Sequence, residues 1–259
     1  MTRVVAVVQA RLGSQRLPGK VLRDLTGDDP ATRGFTVLDW CLHRLRGARH
    51  LDEVVVATST SEEDDALVSY CGEHRYPVWR GELHDVLSRV VGAAEQRAAD
   101  VLVRVTADCP LVDPGVVDRV VAEHLRAGAD FTANRLPPPH HRTYPVGLDV
   151  EVATMAAMRR AVAEATAPAH REHVMPYLYE TGEFEVCVVE SDAGDHGRVR
   201  WTVDTPEDLA AVAALVRRPG VRLGTPWQEL LAAWQDDPAL AELNAEVRQR
   251  SAGDVDERR

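Results

Sequence analysis

Short apolar runs alternate with longer amphipathic segments along the first half of the chain. The runs Val4–Val8, Glu53–Thr58 and Val101–Val105 are rich in apolar β-branched residues, and Val54–Ala57 is apolar at every position, whereas Leu83–Ala99 has the spacing of a helix with one apolar face. Strands that are apolar on both faces are typical of a mainly parallel sheet covered by helices. The pattern therefore predicts an α/β fold: a doubly wound, mainly parallel (mixed) sheet with helices on both faces.

The second half of the chain continues this pattern less regularly. We predict that a helix begins at Pro206 with Thr205 as its N-cap, and that the proline-rich stretch 136–141 is a loop near a substrate site. The remaining elements are predicted as strands at Gly147–Ala153, Phe184–Glu190 and Val199–Asp204, and as helices at Met155–Ala165, Arg171–Tyr179, Trp227–Trp234 and Ala239–Arg250.

Length and composition indicate one catalytic unit. The chain has 259 residues, of which 45% are hydrophobic, so it can bury a sizeable core. We predict a main domain over residues 1–218 and a C-terminal helical extension over 219–259, with a frayed tail at Ser251–Arg259.

Charge and cysteine content exclude some classes of protein. The sequence carries 41 acidic and 30 basic residues, a formal charge of -11 that opposes nucleic-acid binding. The four cysteines are dispersed, without a CxxC pair, which favours a cytoplasmic protein with reduced thiols. No apolar run approaches the roughly 20 residues that span a bilayer, so we expect no membrane association.

The most informative stretch follows the first strand directly. Residues 9–20 read QARLGSQRLPGK and combine glycines with the cations Arg11, Arg16 and Lys20. Glycine lets backbone N–H groups approach an anion, and the three cations can neutralise a triphosphate. Neither the dinucleotide fingerprint nor the P-loop motif is present. The alternative interpretation is a solvated basic turn.

This loop resembles the signature loop of the cytidylyltransferases that make CMP-activated acidic sugars, including CMP-Kdo synthetase and acylneuraminate cytidylyltransferase. It is most similar to the branch of spore coat polysaccharide biosynthesis protein F. Six more matches follow in order and cover most of residues 3–215, whereas 26–35 and the part beyond Pro219 depart from the pattern. These matches are VVVATSTSEEDD at 54–65, RGELHDVLSR at 80–89, RVTADCPLVDP at 104–114, YPVGLDVEV at 144–152, REHVMPYLY at 171–179 and RWTVDTPEDL at 200–209.

The resemblance implies a nucleotide-diphospho-sugar transferase-like fold, CTP as the nucleotide, a small acidic acceptor and a homodimer. It also implies that Asp108 and Asp204 bind a catalytic Mg²⁺, and that Arg11 and Lys20 stabilise negative charge in catalysis. The nucleotide-binding residues that it implies are Gln9, Ala10, Arg11, Gly13, Ser14, Arg16 and Lys20 in the loop, and Arg80, Asp85 and Arg89 further along.

The acidic positions have simpler explanations as well. Asp108 is also a turn former before Cys109-Pro110, and Asp204 a helix-capping carboxylate. Asp149 shares a face of its predicted strand with Glu151. Asp149 could orient the acceptor, bind a second metal or accept a proton, or it could pair with a nearby arginine; we interpret Glu151 as structural.

A cationic group is predicted on the acceptor side. His170, Arg171 and His173 cluster before an apolar helix, and together with Arg142 they could hold a carboxylate or phosphate of the acceptor. The alternative is that the histidines cap a helix or satisfy hydrogen bonds of the core.

Two other functions stay open at this level. The first is a glycosyltransferase that uses a nucleotide sugar, because a fold alone does not fix the chemistry. The Ala107-Asp108-Cys109 sequence argues against it, since such enzymes commonly bind metal through an Asp-x-Asp pair. The second is a nucleotide-binding protein without catalysis, which the joint presence of loop cations and both aspartates disfavours.

Overall fold

The computed structural model describes residues 2–248. Its strands are β1 (Val4–Gln9), β2 (Glu53–Ser59), β3 (Val78–Gly81), β4 (Val101–Thr106), β5 (Phe131–Ala133), β6 (Glu151–Thr154) and β7 (Val186–Val188). Its helices are α1 (Val37–Leu45), α2 (Asp65–Glu73), α3 (Val86–Gln96), α4 (Pro114–Ala127), α5 (Met155–Glu164), α6 (Pro168–His173), α7 (Pro176–Glu180), α8 (Pro206–Val216), α9 (Trp227–Gln235) and α10 (Pro238–Glu242).

The strands form one sheet of seven in the order β3-β2-β1-β4-β6-β5-β7. Strands β1 to β4 are parallel, β6 pairs antiparallel with both β4 and β5, and β7 is parallel to β5. Among the described strands, β6 alone runs in the opposite direction. The prediction of a mainly parallel, mixed sheet is confirmed.

Successive side chains of β1 enter two different cores, as the period of a strand requires. Val4, Ala6 and Val8 pack with α1, α4, α8 and α9 on one face. Val5 and Val7 pack with α3, α5 and α7 on the other face. Helices cover both faces of the sheet, which confirms the doubly wound architecture.

The centre of the sheet fixes where a ligand can bind. Gln9, the last residue of β1, lies opposite Thr106, the last residue of β4. After β1 the chain continues to β2, on one side of β1. After β4 it continues to β5, which lies on the other side of the sheet, beyond β6. Ligands of open α/β sheets bind in the crevice that such a reversal of strand order opens at the carboxyl edge.

Four predicted elements differ from the structure. Residues Val199–Asp204 are extended but make only an isolated bridge, between Val146 and Arg200, so this strand prediction was wrong. The strand predicted at Gly147–Ala153 is shorter, because residues 147–150 form a turn and an irregular link before β6. Residues 171–179 are divided between α6 and α7, where Pro176 starts a new helix.

The helix predicted at Ala239–Arg250 is limited to α10 and is followed by turns up to residue 246. The tail predicted at Ser251–Arg259 lies outside the described residues. None of the helices within residues 2–248 is both long and apolar enough to cross a bilayer.

The C-terminal segment beyond residue 218 packs into the same core as the central strands. Its apolar residues Trp227, Leu230 and Trp234 join the cluster that covers the face with Val4 and Val8. Buried Arg44 donates hydrogen bonds to the carbonyl oxygens of Leu223 and Thr225, at 2.6 and 3.0 Å.

Candidate active site

The basic loop leaves β1 at the carboxyl edge and is anchored to the end of β2. The backbone N–H of Leu12 donates to Oδ1 of Asp64 over 2.7 Å, and Oδ2 of the same carboxylate accepts from the Ser59 hydroxyl over 2.5 Å. A Cβ at Gly13 would come within 2.8 Å of a Glu63 carboxylate oxygen, so a larger residue there would displace the Glu63 side chain. Specific hydrogen bonds therefore hold the loop in place, which distinguishes it from the solvated basic turn of the alternative interpretation.

Gly19 directs Lys20 toward the sheet. The N–H of Gly19 donates to the carbonyl of Leu12 over 3.0 Å, which closes the loop. Gly19 has a φ of 68°, in the left-handed region that side chains disfavour. A single turn of 3-10 helix, Lys20–Leu22, starts at the next residue.

Lys20 lies between the two aspartates. Its Nζ is 2.5 Å from Oδ2 of Asp108 and 2.7 Å from Oδ1 of Asp204, although the carboxylates are far apart in sequence. Arg16 contacts Oδ2 of Asp204 at 3.0 Å. Four residues predicted for the site therefore meet at the carboxyl edge between β1 and β4.

Backbone contacts bring the two aspartates together. The carbonyl of Asp108 accepts a hydrogen bond from the N–H of Val203 at 2.8 Å and from the hydroxyl of Thr202 at 3.2 Å. Gly147, with a φ of 105°, packs so closely on this segment that a Cβ would lie 2.7 Å from the Thr202 nitrogen. The segment that carries Asp204 is thus fixed against the end of β4 without being a regular strand.

A buried network of hydrogen bonds holds Asp204 in place. Arg200 donates to Oδ2 of Asp204 at 2.8 Å and to both carboxylate oxygens of Asp208, at 2.8 and 3.0 Å. Asp208 also accepts from the N–H groups of Asp204 and Thr205, at 3.0 and 3.2 Å, and caps α8. The amide of Asn244 donates to Asp208 at 3.0 Å and to the carbonyl of Arg200 at 3.1 Å.

These contacts determine the charges of the centre. Burial alone would raise the pKa of Asp204, but Lys20, Arg16 and Arg200 outweigh it and lower that pKa to about 2. Burial disfavours the ammonium of Lys20, yet the two carboxylates raise its pKa above the usual value. All of these groups are charged near neutral pH.

Gln9 is held by an arginine that the sequence did not single out. Arg104 of β4 donates to the Gln9 side-chain oxygen at 2.7 and 3.1 Å and pairs with Glu151 of β6 at 2.5 Å. This contact supports the structural interpretation of Glu151. Because β1, β4 and β6 are neighbours, the three side chains lie on one face of the sheet near its carboxyl edge.

Asp149 is paired with Arg142. The guanidinium binds both carboxylate oxygens, with 2.9 Å for the Nη2–Oδ2 contact, and the pair is partly buried. Burial opposes the charge of Arg142, but Asp149 raises the pKa of that guanidinium. Of the roles predicted for Asp149, the structure shows the ion pair with a nearby arginine.

The residues predicted near the base or ribose bind protein groups. Arg80 donates to the carbonyls of Ser59 and Ser61, at 2.8 and 2.9 Å, and pairs with Asp65. Buried Arg89 donates to the carbonyls of Glu82 and Leu83, at 2.5 and 3.0 Å. Burial, followed by repulsion from Arg11, lowers the pKa of Arg89 to about 10. These arginines shape the loops around the crevice.

The predicted acceptor cations fall into two groups. Arg171 pairs with Asp85, the N-cap of α3, at 2.6 Å, and His170 contacts Glu180 at 3.0 Å. Arg142 binds a different carboxylate, Asp149. The acceptor role of the four cationic residues stays a prediction.

The carboxylates offer the donors that a hard cation requires. Asp108 and Asp204 direct oxygens at the same cation, the ammonium of Lys20. No group of three or more His, Cys, Asp or Glu side chains that could bind a metal is present in the described part of the chain. Magnesium commonly takes one or two carboxylates and completes its shell with water and substrate phosphates, so this pair fits it.

Sequence reasoning missed the side chains that support the predicted site residues. Arg104, Arg200, Asp208 and Asn244 hold the predicted residues in place, but each has an ordinary structural role when it is considered alone.

Comparison with known proteins identifies the family. The family model for cytidylyltransferases matches residues 5–205. The spore coat polysaccharide biosynthesis protein SpsF of Bacillus subtilis is 31% identical over 93% of this chain and 98% of its own length. A 3-deoxy-manno-octulosonate cytidylyltransferase of an Anaeromyxobacter species is 28% identical over 83% and 98%. A cytidylyltransferase structure from Leptospira borgpetersenii superposes with a TM-score of 0.83 at 27% identity, over 97% of this chain and all of the other.

The match to the family model covers more than half of the chain and contains the basic loop, Asp108 and Asp204. The relatives extend along nearly its whole length. The chain belongs to the cytidylyltransferase family of nucleotidyltransferase enzymes.

Proposed function

We propose that the protein transfers CMP from CTP to a small acidic or phosphorylated acceptor, with Mg²⁺ as cofactor and release of pyrophosphate. The observation that carries this proposal is the meeting of Lys20, Asp108 and Asp204 at the carboxyl edge between β1 and β4. An acceptor oxygen attacks the α-phosphorus of CTP, the bond to the bridging oxygen of the β-phosphate breaks, and pyrophosphate leaves.

The basic loop is the proposed site of the triphosphate. Arg11, Arg16 and Lys20 of this loop carry the positive charge that phosphate oxygens can bind. The loop is anchored by Asp64 and closed by Gly19, so little ordering is left for the moment of binding. Transfer of a nucleotidyl group between oxygens depends mainly on holding the reacting groups in position before the reaction.

Asp108 and Asp204 are the proposed ligands of Mg²⁺. When bound, this ion neutralises phosphate charge and polarises the phosphorus under attack. Arg200 keeps Asp204 ionised, Asp208 orients it through its backbone N–H, and the backbone of Asp108 is fixed by Val203. Lys20 and Arg11 are the proposed groups that stabilise the leaving pyrophosphate.

The acceptor side is the face that carries Arg142 and Asp149. Two relatives take their names from a sugar acid and from polysaccharide biosynthesis, so we propose an acceptor of the sugar-acid or sugar-phosphate class. Asp149 neutralises Arg142, so an acidic acceptor would have to share or displace this partner. The homodimer implied by the resemblance stays a prediction.

The test is detection of the CMP-linked product. Protein, CTP and Mg²⁺ are incubated with single members of a panel of sugar acids and sugar phosphates, and mass spectrometry follows the product. We expect one acceptor class to gain the mass of a cytidylyl group in the wild type. Asp192→Asn, which changes an exposed aspartate, serves as the matched control for Asp108→Asn. Equal product from both variants would contradict the role of Asp108.

A further inference from the structure

The ammonium of Lys20 takes the place between the two carboxylates that the proposed function gives to a metal. It is within 2.5 and 2.7 Å of one oxygen each of Asp108 and Asp204, and its side chain is only 12% exposed. A divalent cation bound by the same oxygens would be repelled by the ammonium held at this distance. The two roles proposed for this centre therefore compete.

The charges around the centre also disfavour a free cation. Asp108, Asp204 and Asp208 contribute three negative charges, and Lys20, Arg16 and Arg200 contribute three positive charges. With these charges balanced, a divalent ion gains little from the local field, and it must also give up part of its hydration.

The protein ligands are too few to complete a metal site. Within residues 2–248, no third His, Cys, Asp or Glu joins the two carboxylates in a metal-binding group. Nucleotide phosphates would supply both the missing oxygen ligands and a new partner for the ammonium. A metal–nucleotide complex thus satisfies all of the groups, whereas the free metal leaves Lys20 without its anions.

The identity of the cation residue fits such an exchange. Lys20 is the only lysine of the sequence, whereas Arg16 and Arg200 beside it are arginines. Lysine has a compact charge on a flexible stem that can move between neighbouring anions, whereas arginine tends to hold a carboxylate in a planar, two-bond contact. Arg200 makes such a two-bond contact with Asp208.

We infer that Lys20 excludes free divalent cations from Asp108 and Asp204, so that the enzyme accepts its metal only as the metal–nucleoside triphosphate complex. In this complex, Lys20 leaves the carboxylates and binds phosphate. The inference rests on the proposed metal role of the two aspartates and adds the order of binding and the form of the substrate.

The first test measures binding of Mn²⁺ by the spectroscopic signal of the free ion. We expect wild-type protein to bind Mn²⁺ weakly alone and at least roughly tenfold more tightly with CTP present. Lys20→Gln should bind Mn²⁺ alone at least roughly tenfold more tightly than the wild type does. Arg16→Gln removes the same charge from the other oxygen of Asp204 and is the matched control. Equal gains in both variants would show a general charge effect and overturn the inference.

The second test uses the wild-type protein and needs no variant that must fold. With isotopically labelled lysine, the only lysine gives one side-chain signal in an NMR spectrum. We expect the Lys20 signal to keep its position when Mg²⁺ is added alone and to shift when CTP follows. A shift with Mg²⁺ alone, of the size seen with Mg²⁺ and CTP, would overturn the inference.

The outcomes separate this inference from the function on which it depends. If wild-type protein binds Mn²⁺ tightly alone and loses it in Asp108→Asn, the metal ligands stand and the exclusion by Lys20 falls. If Mn²⁺ binding in the presence of CTP is unchanged in Asp108→Asn and Asp204→Asn, the proposed metal site itself is wrong.

Discussion

Asn244 donates a hydrogen bond of 3.0 Å to Asp208, and this contact connects the C-terminal segment with the candidate active site. Both side chains are buried, with exposures of 6% and 0%. Asp208 in turn binds Arg200 and the backbone N–H of Asp204. A residue outside the matched range 5–205 therefore helps to orient a proposed metal ligand.

Asn244→Ala is expected to lower kcat by roughly 10- to 100-fold and to raise the Mg²⁺ concentration needed for activity, as is typical when the support of a metal ligand is lost. The KM for CTP should change less, because the phosphate loop is untouched. Steady-state kinetics over a range of Mg²⁺ concentrations measure both effects. Leu243→Ala, at the exposed neighbouring position, is the control. Equal Mg²⁺ dependence in the two variants would limit Asn244 to a structural role.

Asp108→Asn and Asp204→Asn are each expected to reduce turnover by at least roughly 100-fold, because each weakens a proposed ligand of the Mg²⁺ that neutralises the transferring phosphate. The midpoint of thermal unfolding should change little in Asp108→Asn, since Lys20 loses one of its two ion pairs but keeps the one with Asp204. Pyrophosphate release and calorimetry check the two statements. Turnover close to that of the wild type in Asp108→Asn would refute its assignment.

Arg142→Ala is expected to raise the KM for the acceptor by roughly tenfold or more while leaving the KM for CTP unchanged, because a charge-assisted contact to the acceptor is lost. Asp149→Asn removes the carboxylate that competes for Arg142, and we expect it to lower the KM for the acceptor. The double variant completes a thermodynamic cycle on acceptor affinity. If Arg142→Ala raises only the KM for CTP, Arg142 belongs to the nucleotide side.

The buried His124 predicts a dependence of stability on pH. Burial lowers its pKa below 6.5, and its Nδ1 lies 3.1 Å from the hydroxyl of Thr132. The unfolded chain therefore binds a proton at a higher pH than the folded protein does, so stability falls as pH drops below about 6.5. His124→Gln should flatten the fall in unfolding free energy between pH 7 and 5. His140→Gln, an exposed control, should leave the slope unchanged.

The sequence predicted the parts of the fold that depend on local pattern. Val4–Val8 is apolar at every position and Val101–Val105 at every position except Arg104, which identifies central parallel strands, and Thr205-Pro206 marks the start of α8. Residues 199–204 have the composition of a strand, but they are held by two hydrogen bonds each to Val146 and Asp108. Such long-range pairing leaves no period in the sequence.

The candidate site was predictable only as a set of residue types. The loop cations and both aspartates were identified, because they lie in stretches that resemble the motifs of the family. Their actual partners depend on side-chain packing: Asp149 is occupied by Arg142, and Arg171 by Asp85. Arg104 gave no signal, because a charged residue in a strand is read as solvent-exposed until its neighbours in the sheet are known.

The measurement that tests the central claim most directly is pyrophosphate release from CTP, UTP, ATP and GTP, each with Mg²⁺ and a panel of acidic sugars and phosphorylated polyols. The account predicts release with CTP and one class of acidic acceptor, and loss of that release in Asp108→Asn and Asp204→Asn. Equal release from all four nucleotides, or release that persists in both variants, would contradict it.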